Sequence, residues 1–270
     1  VGGIALDGSG NVFAVGSSYA SWGSPVRAFT SGQICNLSGC FPASDLFVAK
    51  LSGANGQLLW HSFLGGTSQD SGFHVAVDSR GNPYVTGTSG DSWQETSATW
   101  GKPVNEYSWG PDILVAKLNG SNGQLVWNTF LGSLNTDYGN GLTLEPGGNI
   151  YVTGYSCTTW GTPLRDQASV GCGEVSDDIV VAKLSNEGRL IWHSFLGSPY
   201  IDAGFKIVTD GQGSLYVAGW SQDTWGSPVY EHSGGYCNDW PCADMTLIKM
   251  VDKVSGSLDL GQALDNPSLQ

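Results

Sequence analysis

Any chemistry in this sequence has to come from six cysteines, a recurring set of aspartates and eleven tryptophans. The cysteines fall in three close couples, Cys35 with Cys40, Cys157 with Cys172 and Cys237 with Cys242. Bonds within each couple need no long-range geometry and would pin segments that have little core of their own. Such disulfides belong to an oxidising compartment, so an extracellular or cell-surface location is expected. The sharper alternative is a four-cysteine zinc site from Cys35, Cys40, Cys237 and Cys242, which requires the first and last repeats to be neighbours.

Asp45, Asp112, Asp178 and Asp244 each open an apolar run, and Asp70, Asp137 and Asp202 recur between those runs. Equivalent carboxylates gathered at one end of a radial array would bind cations, and calcium suits an all-oxygen set. The competing reading is that each accepts backbone N–H bonds in the turn before a strand. The segment Asp7-Gly8-Ser9-Gly10-Asn11 starts like a calcium loop but has no distal bidentate glutamate, and reads as a hairpin turn. No metal site and no cofactor follow from these spacings.

Trp22, Trp100, Trp160 and Trp225 each begin a Trp-Gly-x-Pro phrase. A tryptophan there can stack on a sugar ring or anchor an otherwise coreless loop. Trp93, Trp109 and Trp240 lie outside that phrase and are candidates for exposed binding contacts. Catalysis is not expected. His61 and His193 share a repeated position that is Asn128 in the second copy and Gly261 in the fourth, and a catalytic group has no reason to recur with a repeat. The sequence has no nucleophile elbow, phosphate loop or dinucleotide fingerprint. Asn36-Leu37-Ser38 and Asn119-Gly120-Ser121 fit the glycan-acceptor pattern.

These residues are positioned by a repeat. The phrase Asp112-Ile113-Leu114-Val115-Ala116-Lys117-Leu118 returns at 45–51, 178–184 and 244–250, with its lysines at 50, 117, 183 and 249. Self-similarity at a fixed period of about 66 residues sets the fold. Each unit reads as four strands. Strand a is Ile4-Ala5-Leu6-Asp7 in the first copy, joined by a Gly-Asn turn to strand b, Val12-Phe13-Ala14-Val15-Gly16. A long b–c loop leads to strand c, the lysine phrase, and then to strand d, Leu58-Leu59-Trp60-His61-Ser62-Phe63-Leu64. The fourth strand d decays to Leu258-Asp259-Leu260-Gly261-Gln262-Ala263-Leu264. The expectation is an all-β, β-propeller-like domain over 1–270 with four antiparallel strands per blade. The blades fall at about 1–66, 67–133, 134–198 and 199–270.

The phrases Gly-Asn-x-Tyr-Val-Thr-Gly, Asp-x-x-Val-Ala-Lys-Leu and Trp-x-x-Phe-Leu-Gly resemble the SBBP repeat family of bacterial and archaeal proteins. The resemblance implies a β-propeller-like fold in secreted or surface proteins, with no catalytic residues to carry over. The repeats here run past the 40 to 45 residues usual for a four-stranded blade because of the b–c loops.

The balance of 11 Lys and Arg against 24 Asp and Glu, a formal charge of −13, opposes nucleic acid and anionic lipid. No apolar run approaches the length of a membrane-spanning helix, and no membrane insertion is expected. The chain opens inside a repeat without a methionine, so residues upstream are expected to have been removed or to lie outside the given sequence, with a signal peptide one candidate among them. The function expected is that of a non-catalytic extracellular structural protein that contacts copies of itself as a fibre or surface layer. The alternative is a glycan- or surface-binding module, standing alone or as a fragment of a larger secreted protein.

Overall fold

The computed structural model describes residues 2–30, 32–36, 39–93, 102–168, 172, 177–237, 240–252 and 258–260. The side chains of residues 36, 236, 237, 240, 241 and 258–260 are not part of that description. Trp100, Leu37, Ser38 and residues 261–270 therefore lie outside it.

The described chain is all β. The first repeat holds β1 (Gly3–Leu6), β2 (Val12–Ser18), β3 (Gln33–Asn36), β4 (Gly39–Pro42), β5 (Asp45–Leu51) and β6 (Leu58–Leu64). The second holds β7 (Asp70–Val77), β8 (Pro83–Ser89), β9 (Asp112–Leu118) and β10 (Leu125–Leu131). The third holds β11 (Asp137–Leu144), β12 (Ile150–Ser156), β13 (Asp178–Leu184) and β14 (Leu190–Leu196). The fourth holds β15 (Asp202–Thr209), β16 (Ser214–Ser221), β17 (Tyr236–Cys237), β18 (Trp240–Pro241), β19 (Asp244–Asp252) and β20 (Leu258–Leu260). Each repeat folds into one four-stranded sheet in the order a-b-c-d, antiparallel throughout the registered pairs.

The a–b turn closes as its residue types require. Asp7 Oδ1 accepts the N–H groups of Ser9 and Asn11, both at 2.9 Å, while Gly10 takes φ of 78°. The carboxylates of Asp78 and Asp210 accept two backbone N–H groups each in the same way.

The chain divides into two compact units, 1–139 with 187–189, and 140–186 with 190–270. In the first unit, Phe13, Val15, Leu46 and Val48 of sheet one bury against Val75, Val85, Leu114 and Leu118 of sheet two. Close approach needs glycine: a Cβ on Gly72 would lie 2.8 Å from Leu46 Cγ. In the second unit, Tyr151, Ile179 and Val181 of sheet three pack on Ile207, Val217, Ile248 and Met250 of sheet four. Every sheet thus has a trailing face, which carries the Phe13 and Leu46 positions, and a leading face, which carries the Val75 and Leu114 positions.

The repeat lysine is a trailing-face device. Lys50 Nζ sits 4.8 Å above the Phe13 ring, 3.1 Å from Asp7 Oδ2 and 3.0 Å from the Gly120 carbonyl of the next sheet. Trp60 Nε1 donates to the same carbonyl at 3.2 Å. Lys183 lies 5.2 Å above Tyr151 and pairs with Asp252.

The b–c loops are more ordered than the absence of periodicity implies. Two of them contain hairpins, β3 with β4 and β17 with β18. Three also pair with the outer edge of strand d. Val26, Val104 and Leu164 donate N–H to the carbonyls of His61, Asn128 and His193 at 2.8, 2.9 and 2.8 Å. The N–H groups of Phe63, Phe130 and Phe195 return to Arg27, Asn105 and Arg165. The residue after each Gly-x-Pro thus begins a cover for an edge that would otherwise present unpaired N–H and C=O groups.

Candidate functional site

Cys35 bonds Cys40 and Cys157 bonds Cys172, as the spacing predicts. Cys242 is also disulfide-bonded, and the side chain of Cys237 is outside the description. Disulfide bonding removes the thiolates that a zinc site from Cys35, Cys40, Cys237 and Cys242 would need, which corrects that alternative. Cys35 and Cys40 face each other across β3 and β4, so this disulfide staples a loop hairpin to itself.

The repeat aspartates hold the loops. Asp45, Asp112, Asp178 and Asp244 accept N–H bonds from Thr30, Ser108, Ala168 and Ser233 at 2.6 to 2.8 Å, each donor lying in the returning b–c loop. Asp70, Asp137 and Asp202 accept from Gly66, Ser133 and Ser198 at 2.9, 2.7 and 2.6 Å in the d–a connection. The two series meet in pairs. Cβ atoms on Gly65, Gly132 and Gly197 would lie within 3.0 Å of Asp45 with Asp70, Asp112 with Asp137, and Asp178 with Asp202. Burial pushes Asp45 and Asp112 up to about 7 and Asp70 up to about 8. Among the described residues no group of three or more His, Cys, Asp or Glu side chains is placed to hold a metal ion.

The tryptophans divide differently from the Trp-Gly-x-Pro phrase. Trp22 lies flat on His61 and edge-on to Phe63, and Trp160 does the same with His193 and Phe195. In the second repeat this place belongs to Trp93, which is 1% exposed and edge-on to Phe130 at 5.5 Å. The expectation that Trp93 offers an exposed contact is therefore corrected: its indole is core, and Trp93 Nε1 donates to Ser89 Oγ and Asp70 Oδ1. The signal that identifies it is the serine at the end of strand b. Trp22, Trp93, Trp160 and Trp225 each stand four residues after Ser18, Ser89, Ser156 and Ser221. Trp109 is 78% exposed with φ of 76°, an uncommon left-handed conformation for a bulky residue. The side chain of Trp240 and all of Trp100 lie outside the description. In the Asn119-Gly120-Ser121 pattern, Asn119 Oδ1 accepts the Ser121 N–H, and the Gly120 carbonyl is already taken by Lys50 and Trp60.

A cavity opens in the fourth repeat, lined by Ser221, Asp223, Trp225, His232, Asp244 and Thr246 among others. Asp45, Asp112 and Asp178 are fully buried, whereas Asp244 is partly exposed on the wall of this cavity. Burial pushes Asp244 up, but the N–H and hydroxyl of Ser233 and the nearby His232 outweigh it and hold the carboxyl below its ordinary value. Asp223 Oδ1 accepts the Thr224 N–H at 2.7 Å, and Trp225 Nε1 donates to Ser221 Oγ at 3.1 Å.

Neither protein-family models nor curated proteins give a match to this sequence.

Proposed function

We propose that the four sheets are blades of a propeller-like array resembling SBBP repeats. In this reading the protein is a non-catalytic extracellular building element whose blades continue from one copy to the next. The observation that carries the reading is exposure at matched positions. On the leading face, Val75, Leu142 and Ile207 are 2, 1 and 3% exposed, but Ile4 at the same position of sheet one is 69% exposed. On the trailing face, Leu46, Ile113 and Ile179 are fully buried, but Met245 at the same position of sheet four is 57% exposed.

A trailing face and a leading face fit together in the packing of sheet one on sheet two and of sheet three on sheet four. The bare trailing face of one copy is therefore complementary to the bare leading face of another. Lys249, equivalent to Lys50, makes no hydrogen bond or ion pair among the described residues, and in a head-to-tail contact the Gly53 carbonyl of a second copy would meet it as the equivalent Gly120 carbonyl meets Lys50. Such a contact is heterologous, and one that does not close on itself generates a filament or layer. The two disulfides support an oxidising compartment. The test is the assembly state of native protein by light scattering and negative-stain microscopy. Concentration-dependent, end-to-end polymers are expected, and a monodisperse monomer at high concentration overturns the reading.

A further inference from the structure

The third residue after the repeat lysine is Gly53, Gly120 and Asn186 in the first three repeats and Asp252 in the fourth. In the first unit the glycine offers only backbone: Lys50 Nζ lies 3.0 Å from the Gly120 carbonyl of sheet two and 3.1 Å from the carboxylate of Asp7 in its own a–b turn. In the second unit Lys183 meets a side chain instead, because its ammonium donates to Asp252 Oδ2 of sheet four. The position equivalent to Asp7 is Glu145 there, and Glu145 Oε2 accepts from Asn149 Nδ2 at 2.8 Å. A lysine and an aspartate from different sheets thus face each other, nitrogen to carboxylate, and both side chains are mostly buried.

The surroundings hold this pair ready to condense. Tyr151 is fully buried, with its ring centroid 5.2 Å from Lys183 Nζ, and its hydroxyl donates to Asp252 Oδ2 at 2.7 Å. Backbone fixes both ends. Lys183 pairs with Tyr151 in the β12–β13 ladder, and the Asp252 N–H donates to the Gly213 carbonyl at 2.8 Å. Groups held in contact have already lost the freedom that a chance encounter would cost. A buried ion pair also carries a desolvation cost that a neutral amide does not. The Lys50 pair differs, because the Asp7 carboxylate accepts from Ser9 and Asn11 within its own turn.

We propose that Lys183 and Asp252 condense to an isopeptide bond, which joins sheets three and four covalently. One proton passes from Nζ to Oδ2 across their hydrogen bond, leaving an amine and a carboxylic acid. The nitrogen lone pair forms the bond to Cγ, the bond from Cγ to Oδ2 breaks, and the leaving hydroxide takes the second amine proton as water. The Tyr151 O–H donates to that oxygen and eases its departure. Ammonium and carboxylate become one amide and one water, so the step balances without an oxidant or a co-reactant.

The experiment is mass spectrometry of the full chain, reduced and denatured, followed by a tryptic map. An intact mass one water below that of the sequence is expected. The map should show no cleavage after Lys183 and a branched peptide that joins the Lys183 and Asp252 segments. Lys183→Arg and Asp252→Ala should each restore the full mass, whereas Lys50→Arg should leave the loss unchanged. A native chain of full mass overturns the proposal. So does a water loss that persists in Lys183→Arg, or one confined to a single peptide, as an imide at Asp7-Gly8 or Asp210-Gly211 would be.

Discussion

The indole of Trp22 lies on the imidazole of His61 with centroids 3.8 Å apart and planes 8° from parallel, and His61 Nε2 meets the Trp22 carbonyl at 2.7 Å. Trp160 and His193 repeat the arrangement at 3.8 Å and 2°, with Nε2 2.7 Å from the Trp160 carbonyl. The recurrence of histidine at this position is thus structural. Each ring packs its own loop tryptophan while one nitrogen fixes that tryptophan's backbone.

His193→Ala should therefore lower stability by about 1–2 kcal/mol, the sum expected of an aromatic pair and a buried hydrogen bond. Thermal denaturation checks it. His193→Asn should cost less, because the second repeat carries Asn128 at this position beside a buried tryptophan.

The pH dependence follows from buried acids. Burial raises Asp45 and Asp112 to about 7, Asp70 to about 8 and Asp202 to about 6. A carboxyl raised in the folded state contributes stability that is fully present below the ordinary carboxylate range and is lost as pH rises through 6 to 8. Two groups act in the other direction. Asp7 is held at about 2: its hydrogen bonds from Asn11, Lys50 and Ser9 outweigh the raising effect of burial. Its contribution is present above the ordinary carboxylate value and lost as pH falls towards 2. Burial holds His193 below its ordinary value, so its contribution too is lost on acidification. Tm measured across buffers should peak at about pH 4 and fall towards pH 8. Asp45→Asn and Asp112→Asn should flatten the alkaline fall; an unchanged slope in both variants contradicts the assignment.

The strands were legible in the sequence because each is a short apolar run rich in β-branched or aromatic residues beside a turn signal, repeated at one interval. The Asp7 turn was legible for a similar reason, since short side-chain to backbone bonds depend on local order, whereas Asp45, read as closing the turn before its strand, holds Thr30 fifteen residues back in the loop. What was not legible depends on partners distant in sequence. Trp93 and Trp100 are both tryptophans of the second b–c loop, and the Gly-x-Pro after Trp100 drew the repeat frame to it. The Phe130 ring and the Asp70 carboxylate show that Trp93 fills the anchor place, which the sequence marks only by its spacing of four from Ser89. The pairing of Val26, Val104 and Leu164 with strand d was hidden because edge pairing uses backbone groups and leaves no pattern in side chains. The decayed fourth strand d was misaligned for the same reason: Leu260 pairs with Met250, the Leu51 position, and not with Lys249, the position that Trp60 pairs with.

The disulfides should stabilise unequally. Cys157 and Cys172 are 15 residues apart and Cys35 and Cys40 are 5 apart. On the loop-entropy account the first contributes roughly 3 kcal/mol and the second roughly 2 kcal/mol. Denaturant titration of the Cys157→Ser/Cys172→Ser and Cys35→Ser/Cys40→Ser double variants should rank them in that order. Equal losses would mean that the bonds act on the folded loops rather than on the unfolded chain.

The head-to-tail contact makes a prediction that neither a symmetric dimer nor a ring closed within one copy can satisfy. Ile4 and Met245 stand on opposite kinds of face, one leading and one trailing, and both are exposed. A glutamate at either should leave the fold intact, because neither side chain contributes to the buried core. Ile4→Glu places a charge on the leading face of every copy, and Met245→Glu does so on every trailing face, so each variant alone should be monomeric by light scattering. A mixture of the two still contains one intact face of each kind, the trailing face of the first variant and the leading face of the second. It should therefore form heterodimers that grow no further, since the outward faces of that pair are both blocked. Analytical ultracentrifugation of the separate variants and of the equimolar mixture distinguishes the cases. A symmetric contact would leave the mixture as monomeric as its components, and a contact elsewhere on the surface would leave both single variants polymerising like the parent.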